Sequence, residues 1–285
     1  MKLRVAIIGT GNIGTDLLLK LKNVEGVEVV GFIGRSSTSK TLDIAREKNV
    51  RVSCESIDFF IKNQKFCDVV YDCTNSDDAI KHSEVFAQQE IKVIDLTPAK
   101  VGPFYVPGIN SDLIKTSKNV NMITCGGQAS IPLLHTISRL CKGVEYIEVV
   151  SQIASSSAGM ATRINIDSYI ETTRKAITEY TGCKNCKVIL NLNPAIPQVC
   201  MQTTLFVKAC TIEKDIILEH VTERVESIKK YIPKYELVLP PTVNDDGILM
   251  SCVKVKGAGD YLPAYAGNLD IINCAAIEAM KDILR

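Results

Sequence analysis

Leu3-Arg-Val-Ala-Ile-Ile8 is an apolar run that leads directly into Gly9-Thr-Gly-Asn-Ile-Gly14, and an amphipathic run over residues 17–21 follows. A buried strand, a glycine-rich turn and a helix in this order are typical of a dinucleotide-binding site. The glycines allow a tight turn and a close approach of the pyrophosphate to the helix N-terminus, where unpaired N–H groups bind anions. We therefore predict that Gly9, Gly11 and Gly14 form the phosphate-binding turn of such a site.

The end of the second predicted strand, Val27 to Ile33, indicates which dinucleotide binds. Enzymes that use NAD usually carry Asp or Glu here, about 20 residues after the glycine turn, to bind the ribose hydroxyls. This chain has Arg35 and Ser36 at this place and no carboxylate before Asp43. An arginine and hydroxyl groups suit the 2′-phosphate of NADP, so we expect NADP in preference to NAD. The alternative is a solvated loop in which Arg35 stacks on adenine.

The order of predicted elements indicates two domains. Strands and helices alternate up to about residue 125, which predicts a Rossmann fold with a doubly wound parallel sheet. From Val144 onward the strands alternate in polarity, which predicts an α+β domain whose antiparallel sheet carries helices on one side. We predict a dinucleotide-binding domain of residues 1–127, completed by a C-terminal helix over 267–285. A catalytic and dimerisation domain would comprise residues 128–266.

Composition excludes several classes of function. The 285 residues are 46% hydrophobic and carry a formal charge of +1, so neither disorder nor a nucleic-acid partner is indicated. The apolar runs are too short to span a membrane, and we expect a cytoplasmic protein. Its 11 cysteines are scattered, as reduced thiols would be. Cys183 and Cys186 have metal-like spacing, but a zinc site needs two further ligands and none is grouped with them, so we expect no metal.

The stretch Asn121-Met-Ile-Thr-Cys-Gly-Gly-Gln-Ala-Ser-Ile-Pro132 carries the strongest candidate for chemistry. Cys125 stands at a turn between a predicted strand and a periodic apolar run that begins at Ile131. A helix N-terminus favours the thiolate, so we expect a lowered pKa for Cys125. The following two glycines would let a substrate carbonyl approach backbone N–H donors, as an oxyanion site requires. The alternative is that Cys125 is one buried small residue among many.

Several stretches together resemble one enzyme family along nearly the whole chain. They are Val5 to Leu17, Ile94 to Ala99, Val120 to Ala129, Ser157-Ala-Gly159, Thr162 to Asp167, Glu171-Thr-Thr173 and Asp260 to Ile271. In these stretches the chain closely resembles the acylating, CoA-dependent acetaldehyde dehydrogenases, which act with a 4-hydroxy-2-oxovalerate aldolase. The resemblance implies a C-terminal domain like that of glyceraldehyde-3-phosphate dehydrogenase.

The resemblance also implies a reaction and a set of site residues. Cys125 would form an acyl thioester, with a short-chain aldehyde and CoA as substrates and NAD or NADP as the hydride carrier. The chain would be a homodimer with an aldolase as its further partner. The residues implied to contact the cofactor are Thr10, Gly11, Asn12, Ile13, Ser157, Ala158, Gly159, Thr162, Arg163, Asn165 and Asn268.

The chain departs from the family pattern at three places. The family has an aspartate that assists acid–base steps, and Thr203 stands there; a threonine cannot take a proton near neutral pH. His135 is a substitute by residue type, although a core or solvent position explains it more simply. The segment 239–252 is shorter than expected, which questions the aldolase contact and the usual dimer surface. Arg35 and Ser36 replace an acidic residue that degradative members often keep.

Two other functions compete with a CoA-acylating dehydrogenase. One is an enzyme like the semialdehyde dehydrogenases, with phosphate as the acyl acceptor, but apart from Arg163 and Arg174 the second domain shows no obvious cationic pair for a phosphate. The other is a cofactor-binding partner or sensor that has lost catalysis, as Thr203 and the short segment would allow. The intact Cys125 and its glycines favour the first function.

Overall fold

The structure of the chain, a computed structural model, describes residues 2–38 and 40–285, so Ser39 of the loop after the second strand lies outside the described residues. The chain divides into two compact units. Unit 1 contains the residues up to Met122 together with Ala276–Arg285, and unit 2 contains Ile123–Ala275. No helix among the described residues is long and apolar enough to cross a bilayer.

Unit 1 is built around a six-stranded sheet. Its strands are β1 (Leu3–Ile8), β2 (Val27–Ile33), β3 (Arg51–Ser53), β4 (Val69–Asp72), β5 (Lys92–Asp95) and β6 (Asn119–Asn121). Its helices are α1 (Asn12–Leu21), α2 (Thr41–Glu47), α3 (Ile57–Lys62), α4 (Ser76–Gln88) and α5 (Leu113–Thr116), with the end of the last helix of the chain.

The strands of unit 1 run parallel in the order β3-β2-β1-β4-β5-β6. This is the order of a Rossmann fold, so that prediction is confirmed. The strand order reverses between β1 and β4, and ligands of such sheets bind at the carboxyl ends of the strands at this point. The glycine turn after β1 and the Thr74-Asn75 turn after β4 therefore lie side by side.

Buried aromatic rings fill the core of unit 1. Phe59, Phe60 and Phe66 pack edge to face, and Phe60 also meets Phe86 of α4 with ring centroids 5.0 Å apart. These rings join α3 and α4 to the apolar side chains of β1, β2, β4 and β5. They fix the sheet, and so the position of the turns at its carboxyl edge.

Two buried tyrosines anchor the end of the chain in unit 1. The hydroxyl of Tyr71 donates to the carbonyl of Ala276 at 3.2 Å, and the hydroxyl of Tyr105 donates to Asp282. A buried phenol needs a hydrogen-bond partner, so these bonds hold the last helical turns against the sheet.

Unit 2 contains a five-stranded sheet with helices on one of its faces. Its strands are β7 (Lys142–Ala154), β8 (Cys186–Asn193), β9 (Met201–Thr211), β10 (Tyr235–Val243) and β11 (Ile248–Val255). Its helices are α6 (Cys125–Leu140), α7 (Met160–Ile164), α8 (Ile166–Thr181), α9 (Lys214–Lys229) and α10 (Gly267–Leu284), of which the residues from Ala276 belong to unit 1.

The sheet of unit 2 is mixed and not purely antiparallel, which corrects our prediction. Its order is β10-β11-β9-β7-β8, and β7 runs parallel to β8, with Ile147 opposite Cys186. The other neighbours are antiparallel. Parallel neighbours need a long crossover connection, and α7 and α8 provide it between β7 and β8. Alternating polarity does not show strand direction, so the sequence pattern could not reveal this pair.

The two faces of this sheet differ. One face, with Val149, Leu205 and Val253, is buried beneath α6, α8 and α9. The alternate residues form a second face that is half-exposed, which we call the open face. Its central side chains are Val150, Thr204, Phe206, Met250 and Cys252. The short segment 239–252 is a hairpin at one edge of the sheet, with a tight turn at Asn244–Gly247.

Candidate active site

The glycine turn of unit 1 fits a dinucleotide. Gly9 has φ +107, and a Cβ on it would lie 2.5 Å from the carbonyl oxygen of Cys73. A Cβ on Gly14 would lie 2.0 Å from the carbonyl oxygen of Gly9. A Cβ on Gly11 would meet nothing within 4 Å. Gly9 and Gly14 are therefore required by the protein's own packing, whereas Gly11 borders open space that a pyrophosphate can enter.

The helix that follows this turn adds an anion site. Gly11 is the N-cap of α1, and it has no side chain that could bond the first N–H groups of the helix. Helix N–H groups that no side chain caps bind phosphate oxygens well. Thr10, Asn12 and Ile13 lie in the same turn, so the structure brings together the cofactor residues predicted in unit 1.

The loop after β2 lies directly against the glycine turn. A Cβ on Gly34 would be 2.7 Å from the hydroxyl of Thr10, and Thr41 donates to the carbonyl of Thr10 at 2.8 Å. Arg35 is exposed, with its guanidinium 3.9 Å from the carboxylate of Asp78. Asp78 could not be predicted from the sequence, because it lies on α4, far along the chain from the loop that it contacts.

The hydroxyls of that loop are arranged locally. Ser36 Oγ lies 3.0 Å from Thr38 Oγ1 and accepts a weak bond from the Thr38 N–H at 3.4 Å. Because this loop packs on Thr10, Arg35 and Ser36 lie beside the turn that would hold the pyrophosphate, where an adenosine ribose is expected.

In unit 2, Cys125 is the first residue of α6. The helix therefore begins at the cysteine and includes both glycines, whereas the sequence pattern placed its start near Ile131. Thr124 is the N-cap, and its hydroxyl accepts from the Gly127 N–H at 2.9 Å. This cap explains why helix geometry begins so early. Ile123, just before it, has φ +63, an unusual left-handed conformation for a β-branched residue.

The two glycines after Cys125 allow side chains of the protein itself to pack closely, and they do not open space for a substrate. This corrects our prediction. A Cβ on Gly126 would lie 2.1 Å from the hydroxyl of Tyr169, and one on Gly127 would lie 2.4 Å from the side chain of Ile123. The Gly126 N–H donates to the Tyr169 hydroxyl at 3.0 Å. Because both glycine N–H groups have internal acceptors, neither is available as an oxyanion donor.

The pKa of Cys125 is also opposite to the prediction. Burial raises the pKa of this thiol to about 11, while the hydrogen bond with Tyr169 and two backbone N–H groups lower it by less. The residue as a whole is partly exposed, while its sulfur is buried. The helix N-terminus does favour the thiolate, but burial has the larger effect, and burial cannot be predicted from neighbouring residues in the sequence.

A chain of hydroxyls connects Thr203 to the thiol. Tyr169 Oη lies 3.7 Å from Cys125 Sγ, and Tyr169 also bonds Ser151. Ser151 Oγ lies 3.0 Å from Thr203 Oγ1. Thr203 is fully buried. This residue, which stands at the position of the family aspartate, contacts Ser151 and not the sulfur. Tyr169 and Ser151 could not be predicted as site residues, because nothing in the sequence distinguishes them beyond their residue types.

His135 does not serve Cys125. It lies ten residues later on the same helix, roughly 15 Å along the axis. Burial, together with Arg139 and Arg224, lowers its pKa. His135 therefore belongs to the other end of α6, where its ring meets that of Tyr180.

The loop 155–165 borders a cavity. Arg163 donates to the carbonyl and hydroxyl oxygens of Ser155 and to the carbonyl of Ala158, which folds the loop onto itself. A cavity of about 320 Å³ opens beside it, lined by Ser155, Ser156, Arg163, Asn193, Pro194, Ala195, Ile196 and Gln198. Ser157, Ala158, Gly159, Thr162 and Asn165 lie in or next to this loop, and their contact with a cofactor stays a prediction.

Asn268 offers an unused acceptor. It is 2% exposed at the start of α10, and its Oδ1 has no hydrogen-bond partner among the described residues. A buried amide oxygen without a donor is costly, so this atom fits a ligand that brings an N–H group, as the carboxamide of a nicotinamide does.

Among the described residues, no group of three or more histidine, cysteine or acidic side chains could hold a metal ion. Cys183 and Cys186 flank the turn between α8 and β8, where each thiol donates to a nearby main-chain carbonyl. These two thiols therefore have a local structural explanation.

Family models match both units. A model described as "Prokaryotic acetaldehyde dehydrogenase, dimerisation" matches residues 125–263, and one described as "Semialdehyde dehydrogenase, NAD binding domain" matches residues 4–117. An acetaldehyde dehydrogenase of Pectobacterium atrosepticum is 49% identical over 99% of this chain and 96% of the relative. One of Spirochaeta aurantia is 48% identical over 98% of this chain and 94% of the relative.

Solved structures support the fold. Two structures of aspartate semialdehyde dehydrogenase II from Vibrio cholerae, one of them complexed with ASA, match with TM-scores of 0.68 and 0.66. They cover 100% of this chain and 99% of their own, at 14% and 15% identity. At this identity the likeness concerns the fold alone.

Substituting Gly11 and Gly14 by alanine should separate binding from folding. Gly14→Ala should lower the free energy of unfolding by about 1–3 kcal/mol, because its methyl group meets the Gly9 carbonyl. Gly11→Ala should change that free energy by less than about 0.5 kcal/mol. It should weaken dinucleotide binding at least about tenfold, because the methyl group enters the space of the pyrophosphate. Urea denaturation and fluorescence titration with NADPH and NADH measure the two effects; unweakened binding in Gly11→Ala would reject this turn as the phosphate site.

Proposed function

Because this chain belongs to the acetaldehyde dehydrogenase family, we propose that it interconverts a short-chain aldehyde plus CoA and the corresponding acyl-CoA through a thioester on Cys125. Acetaldehyde and propanal are the aldehydes that we propose. The position of Cys125 carries the proposal, because this partly exposed residue is the first of a capped helix.

The reaction begins at the sulfur of Cys125. The thiol loses its proton to water, and the sulfur bonds to the carbonyl carbon of the aldehyde, which leaves a negative charge on the oxygen. The Gly126 and Gly127 N–H groups already have acceptors, and the N–H of Cys125 itself bonds the sulfur of the same residue. Because this N–H lies beside the reacting sulfur, we propose that it donates to the oxyanion once the sulfur has bonded to carbon.

The acyl group then passes from Cys125 to CoA. The turn of Gly9, Gly11 and Gly14 would hold NAD or NADP, which would supply the hydride acceptor, so that aldehyde, CoA and oxidised cofactor together would give acyl-CoA, reduced cofactor and a proton. The CoA thiol attacks the thioester carbonyl, the carbon–sulfur bond to Cys125 breaks, and the thiolate is regenerated. Each step is reversible, so the same site would also convert an acyl-CoA to the aldehyde, with the reduced cofactor as the hydride donor.

NADP is the cofactor form that we propose. The guanidinium of Arg35 is exposed and lies in the loop that packs on Thr10, and Ser36 and Thr38 add hydroxyl groups. A guanidinium can bind a phosphate with two parallel hydrogen bonds, whereas the ion pair with Asp78 is long and exposed and contributes little. Arg35 is therefore free to exchange Asp78 for a 2′-phosphate.

We propose a homodimer that forms through the open face of unit 2. Val150, Phe206 and Met250 of this face are apolar and half-exposed on neighbouring strands. The family model that matches this unit is described as a dimerisation region. An aldolase partner stays a prediction of the resemblance. All eleven cysteines are free, which supports the proposed cytoplasmic location because free thiols persist in a reducing compartment.

The reaction is tested with acetyl-CoA or propionyl-CoA and NADPH or NADH, following the absorbance of the reduced nicotinamide. Cys125→Ser should lose turnover by about a thousandfold or more, because a hydroxyl is a far weaker nucleophile here. Cys210→Ser, which changes an exposed cysteine, is the matched control and should retain activity. Undiminished turnover in Cys125→Ser would overturn the assignment. Oxidation of acetaldehyde with phosphate but not with CoA would indicate a phosphorylating enzyme instead.

Arg35→Asp should reverse the choice of cofactor. The carboxylate would repel a 2′-phosphate and bind ribose hydroxyls, so the ratio of kcat/KM for NADPH to that for NADH should fall about tenfold or more. Arg46→Asp makes the same charge change on α2, where Arg46 pairs only locally with Asp43, and should leave the ratio unchanged. An unchanged ratio in Arg35→Asp would contradict the NADP preference.

Phe206→Glu should convert the dimer to a monomer, because it places a charge in the middle of the apolar open face. Analytical ultracentrifugation gives the mass in solution, and circular dichroism checks the fold. Ile216→Glu, an exposed apolar position on α9, is the control and should remain dimeric. A Phe206→Glu protein that stays dimeric would exclude this face as the interface.

A further inference from the structure

The hydroxyl of Tyr169 contacts the sulfur of Cys125. We propose that Tyr169 is a catalytic residue whose phenol donates a hydrogen bond to the sulfur of Cys125 when that sulfur is a thiolate. The inference rests on the proposed role of Cys125 as the nucleophile.

Packing between α6 and α8 fixes the phenol in place. Tyr169 is 7% exposed, and its hydroxyl contacts Cys125 Sγ at 3.7 Å and the Gly126 N–H at 3.0 Å. One turn later on α8, Thr173 Oγ1 lies 2.8 Å from the Oγ1 of Thr124, the N-cap of α6. The cap and the phenol therefore hold the two helices in one register, with the phenol against the thiol.

The phenol has the groups that this role requires. A tyrosine hydroxyl has one proton and two lone pairs, and the Gly126 N–H occupies one lone pair. With a thiol, the sulfur donates to the second lone pair, which leaves the phenol proton for the Ser151 oxygen. With a thiolate, the sulfur becomes an acceptor, so the phenol proton turns to it and the Ser151 hydroxyl donates to the second lone pair.

Thr203 allows this reversal. When Ser151 turns its proton towards Tyr169, its oxygen can accept from Thr203 Oγ1, 3.0 Å away. A carboxylate at position 203 could only accept, so it would hold the Ser151 proton away from Tyr169. Thr203 thus fits a site in which the thiolate is stabilised by donors, and it does not serve as a base.

Among the described residues, no charged side chain contributes to the pKa of Cys125. The contributions that lower the pKa of Cys125 come from Tyr169 and from two backbone N–H groups, and burial opposes them. Tyr169 is the one titratable side chain among them. Burial raises the pKa of Tyr169 itself well above its usual value, so the phenol keeps its proton and acts as a donor.

The test is the reactivity of Cys125 in Tyr169→Phe, which needs no turnover. Alkylation by iodoacetamide is followed at the Cys125 peptide by mass spectrometry from pH 7 to 10. Loss of a hydrogen bond to a charged group should slow alkylation roughly tenfold to a hundredfold at a given pH and move the profile to higher pH. In turnover, kcat should fall while KM changes little. Tyr146→Phe removes a hydroxyl that bonds Glu148 and should leave Cys125 alkylation unchanged.

A second variant keeps the test decisive. 3-Fluorotyrosine placed at position 169 has a more acidic phenol and is a stronger donor, so it should speed alkylation, opposite to phenylalanine. Unchanged alkylation in a folded Tyr169→Phe protein would overturn the inference. If that variant fails to fold, an unchanged or slower rate with fluorotyrosine overturns it. If the wild-type protein shows no acyl-CoA turnover while the Tyr169 variants change the alkylation of Cys125 as expected, the proposed function is contradicted. The hydrogen bond from Tyr169 to the sulfur is then still supported.

Discussion

The hydrogen bond between the Gly126 N–H and the Tyr169 hydroxyl is the contact on which the site in unit 2 depends. It forms at 3.0 Å because Gly126 has no Cβ, which would otherwise lie 2.1 Å from the phenol oxygen. The same contact allows α8 to approach the first turn of α6, and so places an aromatic hydroxyl against Cys125. The left-handed backbone of Ile123, which costs on the order of 1–3 kcal/mol, stands directly before this turn.

Two effects act on the thiol in opposite directions. The helix start and the phenol stabilise a negative sulfur, while the packed surroundings that make this geometry rigid also remove water from it. Burial is the larger effect, so the thiol is protonated in the free protein near neutral pH. Precise positioning and easy ionisation cannot both be maximal at one buried sulfur, and this site favours positioning.

Local patterns predicted the parts of the molecule that local forces determine. The strand, glycine turn and helix of residues 3–21 follow from hydrophobic periodicity and from backbone that only glycine adopts easily, and the Rossmann fold was correct. The parallel pairing of β7 with β8 depends on a crossover and escaped the pattern of alternating polarity. Cys125 was found because glycines mark it. Tyr169 was not, because it lies 44 residues further along the chain and only tertiary packing brings it to the sulfur.

The firmly held proton of Cys125 also has a consequence for an enzyme at rest. Peroxides attack thiolates and hardly react with thiols, so a cysteine whose pKa is about 11 forms sulfenic acid slowly at neutral pH. The nucleophile is therefore protected from irreversible oxidation while no aldehyde or acyl-CoA is bound. An exposed, readily ionised cysteine in the same place would react faster with substrate and would also be lost sooner to oxidative damage.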